Sequence, residues 1–320
     1  MYISSPTIGI LRKYKEMFPS HELNILLTYA YRGSNFETLA IDLKKEGVTN
    51  KIILDSGAYT LNKASSQNLK TTFNGFKRFC KDHCEDFEYI FNYDEDFNSD
   101  GFYTNNEKQI ELDELCHKIV PVVHDYKEEY GEVDHYINNK YPIISLGYHS
   151  KNKNEANITK LTKKIHNSGL KVHLLGVSDY KIVKKSGVDL NDSSNWAQAS
   201  TYGYIYLFVQ GKEDLEVATI RFRDYIRNPK DDTMLQYSEL SNKDEIESFI
   251  YDTFNFTYRD LMGLNRDINR QIINVYYFVQ MQDIIRKYKK EHAAKNNSAS
   301  QSSSSTSLVT APPSSSDPTP

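Results

Sequence analysis

The sequence has few cysteines, a single tryptophan and no long apolar run. Three cysteines in 320 residues are too few for the disulfide framework of a small secreted domain. The N-terminal stretch lacks the uninterrupted apolar core of a signal peptide, and no segment approaches the length of a membrane-spanning helix. We therefore expect a cytoplasmic protein without membrane association.

The charge balance also excludes a strongly basic protein. The chain has 39 Lys and Arg against 43 Asp and Glu, which gives a net charge of −4, so no global basic field indicates nucleic acid and only local basic faces remain. With 39% hydrophobic residues, the chain can bury one large α/β core or two small ones. From about residue 295 the sequence turns into a Ser/Pro/Thr run, which predicts a folded domain over 1–294 and a disordered tail over 295–320.

The cysteines do not form a recognisable zinc motif. Cys80 and Cys84 are separated by three residues on one face of a predicted helix, and Cys116 comes much later. This spacing matches no structural zinc pattern, and cysteine is often a small buried hydrophobe. We expect three structural cysteines and no metal site.

Apolar strand patterns alternate with amphipathic helix patterns about eight times along the chain. This alternation predicts a closed (β/α)8 TIM-type barrel with a C-terminal helical segment, although counting elements leaves an open doubly wound sheet as an alternative. The predicted strands are residues 24–30, 51–55, 88–94, 118–124, 140–147, 171–176 and 187–196, with an eighth from Tyr204.

Four acidic or histidine side chains and one glycine stand at or near the carboxyl ends of five of these strands. In a barrel the carboxyl ends of the strands converge on one mouth, where active sites are built. Each residue alone is more often structural, as a helix cap, a core histidine or a solvated acid. Their agreement favours a site formed by Asp55, Asp94, His124, Gly147 and Asp192.

Four segments together resemble the tRNA-guanine transglycosylase superfamily. DSGAY from Asp55 is similar to the family signature DSGGF, and HLLGV from His173 with GVDLND from Gly187 is similar to two later strand signatures. The run NVYYFVQMQDIIRKY from Asn274 resembles the family's C-terminal helix. Their order and spacing agree over roughly residues 24–290.

The resemblance implies an exchange of guanine in a nucleic acid for a 7-deazaguanine base. It implies that Asp192 is the nucleophile, that Asp55 is the acid/base, and that Asp94 recognises the heterocycle, with Asp96 as the alternative. It also implies that the backbone of Gly147 helps to bind the base.

The substrate pocket is expected to extend beyond the carboxylates. Ser56, Gly57 and His124 are predicted to bind substrate, and Tyr59 is placed to stack on the face of the base. Ala58 stands where the family has glycine, and Tyr148 and Asn191 are further departures, which leave the choice of deazaguanine open.

The departures from the family pattern favour DNA over tRNA as the substrate. The family's tRNA enzymes carry a cysteine-rich zinc site before the final helix, whereas no cysteine follows Cys116 here, so no zinc or other cofactor is expected. The sequence after the final predicted helix is expected to be too short for an appended RNA-binding domain. The DNA 7-deazaguanine transglycosylases of bacterial and phage modification systems fit better. A partner protein that opens DNA is then expected, in the host cytoplasm if the chain is phage-encoded.

Local basic clusters are the expected phosphate contacts. In RFRDYIR the residues Arg221, Arg223 and Arg227 alternate with aromatic residues, a pattern typical of stacking on unpaired bases. Lys184 and Lys185 near a helix end are a second cluster, although lysines there often serve only solubility and the helix dipole. Two alternatives stay open, a transglycosylase that acts on tRNA and an inactive nucleobase-binding accessory subunit.

Overall fold

The computed structural model describes residues 1–32, 35–58, 72–95, 101–126, 131–147, 154–211, 214–222 and 234–303. The chain divides into a compact unit over Met1–Gln282 and a second unit over Asp283–Pro320. The first unit contains every element discussed below except the later part of the final helix.

The first unit is built on a parallel sheet of nine short strands. They are β1 (Tyr2–Ser4), β2 (Asn24–Thr28), β3 (Lys51–Asp55), β4 (Tyr89–Phe91), β5 (Ile119–Val120), β6 (Val122–Val123), β7 (Ile143–Leu146), β8 (Lys171–Leu174) and β9 (Leu190–Ser193). The spatial order is β5-β4-β3-β2-β1-β9-β8-β7-β6. Nearly every residue in these strands is buried, as expected for a parallel sheet that is covered on both faces.

The sheet closes into a barrel because its two end strands are consecutive in sequence. Only Pro121 separates β5 from β6, and proline has no N–H to donate to a neighbouring strand. Its carbonyl still accepts a 2.9 Å hydrogen bond from the Ser145 N–H on β7. The segment on either side of Pro121 therefore acts as one barrel strand, pairing with β4 before the proline and with β7 after it.

Helices follow the strands around the barrel. They are α1 (Ile8–Met17), α2 (Phe36–Lys45), α3 (Phe73–His83), α4 (Gly101–Asp113), α5 (Glu132–Asn138), α6 (Glu155–Asn167), α7 (Tyr180–Ser186) and α8 (Asn195–Thr201). Their starts follow local capping chemistry, because the side chains of Thr72, Asn154 and Asp179 accept hydrogen bonds from backbone N–H groups in the first turns of α3, α6 and α7.

The barrel interior is filled by apolar side chains from neighbouring strands. Its core cluster contains residues from β1 through β7, all of them at most 3% exposed: Tyr2, Leu26, Ile53, Phe91, Val120, Val122 and Ile143. The closed, packed sheet confirms the predicted (β/α)8 TIM-type architecture, and the open doubly wound sheet is excluded.

The prediction that Tyr204 begins the eighth barrel strand is wrong. That segment is β10 (Tyr204–Gln210), which pairs antiparallel with β11 (Leu215–Arg221), and β12 (Met234–Gln236) extends this separate small sheet. The barrel instead begins with β1, which lies between β2 and β9. Three residues at the start of the chain carry too little periodicity to be recognised as a strand.

The C-terminal helices are α9 (Lys243–Phe254), α10 (Tyr258–Met262) and α11 (Arg266–Ser303). Asn274 on α11 is fully buried, accepts a 2.9 Å hydrogen bond from the Tyr206 N–H and donates a 3.0 Å bond to the Trp196 carbonyl. One amide thereby joins the final helix to β10 and to α8. The final helix continues through Ser303 into the predicted tail, and residues 304–320 lie outside the described residues.

The cysteines behave differently from expectation. Cys80 is a buried free thiol as predicted, but Cys84 and Cys116 form a disulfide, so the prediction was wrong for these two. In the part of the chain that the structure describes, no helix combines the length and apolarity needed to cross a membrane.

Candidate functional site

A cavity of about 1260 Å³ opens at the carboxyl ends of the barrel strands. It is larger than the roughly 300–1,000 Å³ of a typical small-molecule pocket. The polar residues that line it come from almost every strand end and include Ser4, Thr28, Asp55, Ser56, Asn92, Asp94, His124, Asp192 and Ser194. The structure therefore brings together four of the five predicted strand-end side chains, and Gly147 also lines the cavity.

Asp192 lies on β9, and each of its two oxygens accepts a hydrogen bond. The Ser4 hydroxyl donates to Oδ2 at 2.6 Å, and the Gly176 N–H donates to Oδ1 at 2.9 Å. Burial raises the pKa of Asp192 to about 6, and the two donors oppose that rise because they stabilise the ionised form. Asp192 is thus a buried carboxylate whose orientation is fixed by β1 on one side and the β8–α7 loop on the other.

Asp55 ends β3 and has the higher pKa of the two carboxyls. Burial and then the charge of Asp192 raise the pKa of Asp55 to about 7, while the Gly57 N–H opposes the rise by donating to Oδ2 at 3.2 Å. The two hydrogen bonds to Asp192 and the added repulsion on Asp55 both favour an ionised Asp192 beside a protonated Asp55. This split is the arrangement that a nucleophile and a neighbouring proton donor require.

The glycine of the DSG motif is required by the backbone. Gly57 has a φ of +75°, and a Cβ at this position would lie 2.4 Å from the Ala30 Cβ and 2.8 Å from the Thr28 Cγ2. Only glycine adopts this conformation without strain and also permits so close an approach to β2. The turn places the Gly57 N–H against the Asp55 carboxyl.

His173 lies beside Asp192 but does not neutralise it. Its Nε2 is 3.6 Å from Asp192 Oδ1, and its Nδ1 is 3.3 Å from the Ser145 hydroxyl. The imidazole is 1% exposed, and burial lowers the pKa of His173 to about 3. His173 is therefore neutral in the physiological range, and Asp192 carries its own negative charge when it ionises.

The carboxylate of Asp94, which also lines the cavity, contacts two polar side chains. Asn92 donates to Oδ1 at 2.7 Å, and His124 Nε2 lies 2.9 Å from Oδ2. The backbone N–H of His124 in turn donates to the buried Glu132 carboxyl at 2.9 Å. Because each carboxylate oxygen accepts more than one hydrogen bond, Asp94 retains acceptor capacity for the donors of a ligand.

Gly147 is in the predicted place, but its backbone is already engaged. Its N–H donates to the Val123 carbonyl at 2.9 Å, and its carbonyl accepts a 2.6 Å bond from the Tyr126 hydroxyl. A Cβ here would lie 3.0 Å from His124 Nδ1. A base that contacts Gly147 would therefore use the second lone pair of the carbonyl, or the space that the absent side chain leaves.

Some predicted residues lie elsewhere or outside the described residues. Lys184 forms an ion pair with Asp214, and Lys185 with Glu155 at 3.2 Å, so each lysine charge already has a carboxylate partner. Arg221 ends β11 on the small sheet and does not line the cavity. The remaining predicted residues lie outside the described part of the chain: Tyr59, Asp96, Arg223 and Arg227.

The sequence reasoning missed several residues of the site. Ser4 was overlooked because β1 is too short to recognise, although the run YISSP resembles the other strands that end in a polar residue. Gly176 was noted only as a strand end, and His173 only as part of a motif. Their contacts with Asp192 depend on the closure of the barrel, which brings β1 and β8 to the two sides of β9.

Comparisons with known proteins show a distant likeness only. No family model matches the sequence, and no curated protein does. Among solved structures, a racemase from Streptomyces coelicolor A3(2) with bound magnesium matches with a TM-score of 0.43 and 9% identity, over 68% of this chain and 57% of that one.

Two further structures give similar values. A putative isomerase from Sinorhizobium meliloti matches with a TM-score of 0.44 and 9% identity over 68% of this chain and 59% of that one. Thiamine phosphate pyrophosphorylase from Pyrococcus furiosus matches with a TM-score of 0.37 and 11% identity over 60% and 83%. The present chain thus spans under three fifths of the first two proteins, and at these scores the matches carry no argument about chemistry.

Proposed function

We propose that this protein is a base-exchange transglycosylase that replaces guanine in DNA with a 7-deazaguanine base. The observation that carries the proposal is the pair of carboxyls that line one cavity, Asp192 buried and Asp55 partly buried, with raised pKa values of about 6 and about 7. The sequence resemblance gives the same two residues the roles of nucleophile and acid/base.

The proposed first half-reaction breaks the bond between the deoxyribose and guanine. An oxygen of ionised Asp192 attacks C1′ and forms an ester bond to the sugar, while the N-glycosidic electrons leave with the base. Protonated Asp55 gives its proton to the departing guanine. The hydrogen bonds from Ser4 and Gly176 leave the remaining lone pairs of Asp192 for the attack.

The second half-reaction reverses these roles with the new base. Asp55, now ionised, removes the N9 proton of the deazaguanine, and N9 attacks C1′ and displaces Asp192. Two inversions at C1′ restore the original configuration without breaking the phosphate backbone. Asp94, held by Asn92 and His124, would accept hydrogen bonds from the amide and amine edge of either base.

The size of the cavity supports a nucleotide within a polymer rather than a free base alone. Because the reacting bond is inside a nucleic acid, the target nucleotide must be unpaired or flipped out of the helix. The choice of DNA over tRNA rests on the lack of a cysteine after Cys116, which removes the zinc ligands of the tRNA-specific relatives.

The decisive experiment is incorporation of an isotopically labelled 7-deazaguanine into guanine-containing DNA or tRNA, read by nucleoside mass spectrometry. We expect label in DNA and an equal release of guanine. Label in tRNA alone would replace DNA with the RNA substrate, and label in neither would leave a nucleobase-binding accessory role.

The nucleophile assignment has its own test with a matched control. Asp192→Asn should abolish the covalent adduct between protein and nucleic acid, which is trapped by denaturation in the absence of an incoming base. Asp189→Asn changes the same residue type three positions earlier, where Asp189 binds the Val172 N–H and His166. It should retain the adduct, and an adduct that survives in the Asp192 variant would refute the assignment.

A further inference from the structure

The disulfide lies at the end of the barrel opposite the cavity. Cys84 opens the 3₁₀ turn Cys84–Asp86 that precedes β4, and Cys116 lies three residues before β5. Both cysteines therefore come before strand starts, whereas the cavity is formed at strand ends. Their Cα atoms are 5.6 Å apart.

Each cysteine is followed directly by a second potential metal ligand. The Cys84 Sγ, a carboxylate oxygen of Glu85 and a ring nitrogen of His117 all lie within 4.8 Å of one another. The side chains of Glu85 and His117 are 77% and 74% exposed, so a metal ion can reach both from solvent. Cys116 joins the group through its bond to Cys84.

The two oxygens of Glu85 have different surroundings. Oε2 forms an ion pair with Lys118 Nζ at 2.7 Å, whereas Oε1 lies 4.0 Å from His117 Nε2. Because Lys118 occupies Oε2, Oε1 is the oxygen that faces the histidine. The Cys84 Sγ completes this group of ligand atoms, which lie within 4.8 Å of one another.

We propose that the reduced protein binds one zinc ion through Cys84, Cys116, His117 and Glu85. Two thiolates, one imidazole and one carboxylate are ligand types that zinc takes in tetrahedral sites. With Zn–S bonds of about 2.3 Å and a tetrahedral angle between them, the two sulfurs of such a site lie about 3.8 Å apart. Side-chain rotation after cleavage of the disulfide supplies that separation, because the backbone already holds the two cysteines close together.

The disulfide and the metal site exclude each other. A dithiol reductant supplies two electrons and two protons, which break the sulfur–sulfur bond and leave two thiols. Zinc binding then releases both thiol protons to the solvent as the thiolates form. A disulfide oxidant that accepts two electrons from the thiolates, and is itself reduced to two thiols, re-forms the sulfur–sulfur bond and expels the metal. The same crosslink between the α3–β4 and α4–β5 connections is therefore made either by a covalent bond or by zinc.

This site differs from the cysteine arrangement that the sequence suggested. Cys80 and Cys84 share a helical face, but Cys80 does not belong to the ligand group found among the described residues. The new pairing combines two segments that are 32 residues apart, which spacing alone does not indicate. The proposal is independent of base exchange, because it concerns the opposite end of the barrel.

The test is a titration of the full chain with Co²⁺, whose thiolate complexes give a charge-transfer absorption that carboxylate and imidazole complexes lack. Protein reduced with a phosphine and freed of reductant should develop the band with one equivalent of Co²⁺, and Zn²⁺ should displace it. Oxidised protein should show no band. Reduced protein without a band, or the same band before and after reduction, would overturn the proposal.

Variants assign the ligands. His117→Ala should raise the Kd for Co²⁺ at least about tenfold, and Cys116→Ser should reduce the band by about half because one of two thiolates is lost. Cys80→Ser is the matched control and should leave the band and its stoichiometry unchanged. His117 is exposed, so its replacement leaves the fold intact, and an unchanged Kd in that variant would contradict the assignment.

Discussion

Replacing Asp55 by asparagine should change how the stability of the protein depends on pH. In the unfolded chain this carboxyl ionises near its ordinary pKa of 3.8, whereas the folded protein raises the pKa to about 7. Between these values the folded state binds more protons, so its stability falls as the pH rises. Asp55→Asn removes that loss.

The expected magnitude follows from the size of the shift. A rise of the pKa by about three corresponds to a loss of about 4 kcal/mol in the free energy of unfolding, if the carboxyl is fully shielded from water. Asp55 is partly exposed to the cavity, which screens its charge, so we expect about half of this, about 2 kcal/mol. The asparagine variant should be close to wild type at pH 4 and more stable by about 2 kcal/mol at pH 8.

Urea unfolding at a series of pH values measures this difference directly. The useful quantity is the free energy of unfolding of the variant minus that of wild type, because contributions from groups that do not interact with Asp55 cancel. Asp252→Asn removes an exposed carboxylate on α9 and should give a flat difference. A flat difference for Asp55→Asn as well would refute the conclusion that burial and Asp192 hold a proton on Asp55.

Three further predictions concern the exchange reaction. A plot of its rate against pH should be bell-shaped, with an acidic limb near pH 6 for Asp192 and a basic limb near pH 7 for Asp55. Ser4→Ala should move the acidic limb upward by about one pH unit, because Asp192 loses a hydrogen-bond donor. An unmoved acidic limb would contradict that hydrogen bond. Gly147→Ala should raise the KM for the incoming base, measured by initial rates, since the added methyl crowds His124, and an unchanged KM would place the base elsewhere. His124→Ala should raise the same KM about tenfold through loss of the support for Asp94, while His124→Gln, which keeps a donor, should recover most of it; equal effects of the two would assign His124 a purely steric role.

The barrel was predictable because its signals are local. Short apolar runs such as Lys51–Asp55 and Ile143–Leu146 alternate with amphipathic helices, and such alternation is typical of parallel strands covered on both faces. The pattern is absent at the first barrel strand and misleading at the last predicted one. Tyr2–Ser4 is too short to show a pattern, and Tyr204–Gln210 has a strand pattern but pairs with a neighbouring strand in a separate sheet.

The carboxylates of the site were also predictable, because each stands at the end of a recognisable strand. Their partners were not, since a donor such as Ser4 is 188 residues from Asp192 in sequence. The disulfide is a second example, because Cys84 and Cys116 meet only when β4 and β5 pair and bring their preceding loops together.

The sequence by itself determined the alternation of elements and the presence of acids at the ends of β3, β4 and β9. It also determined the sharp turn after β3, because Gly57, two residues after Asp55, adopts the positive φ that this turn requires. Only the tertiary structure decided which acid ionises first. Burial raises both pKa values, the Ser4 and Gly176 donors oppose the rise for Asp192, and the charge of Asp192 adds to it for Asp55. These effects exist only after the barrel has closed.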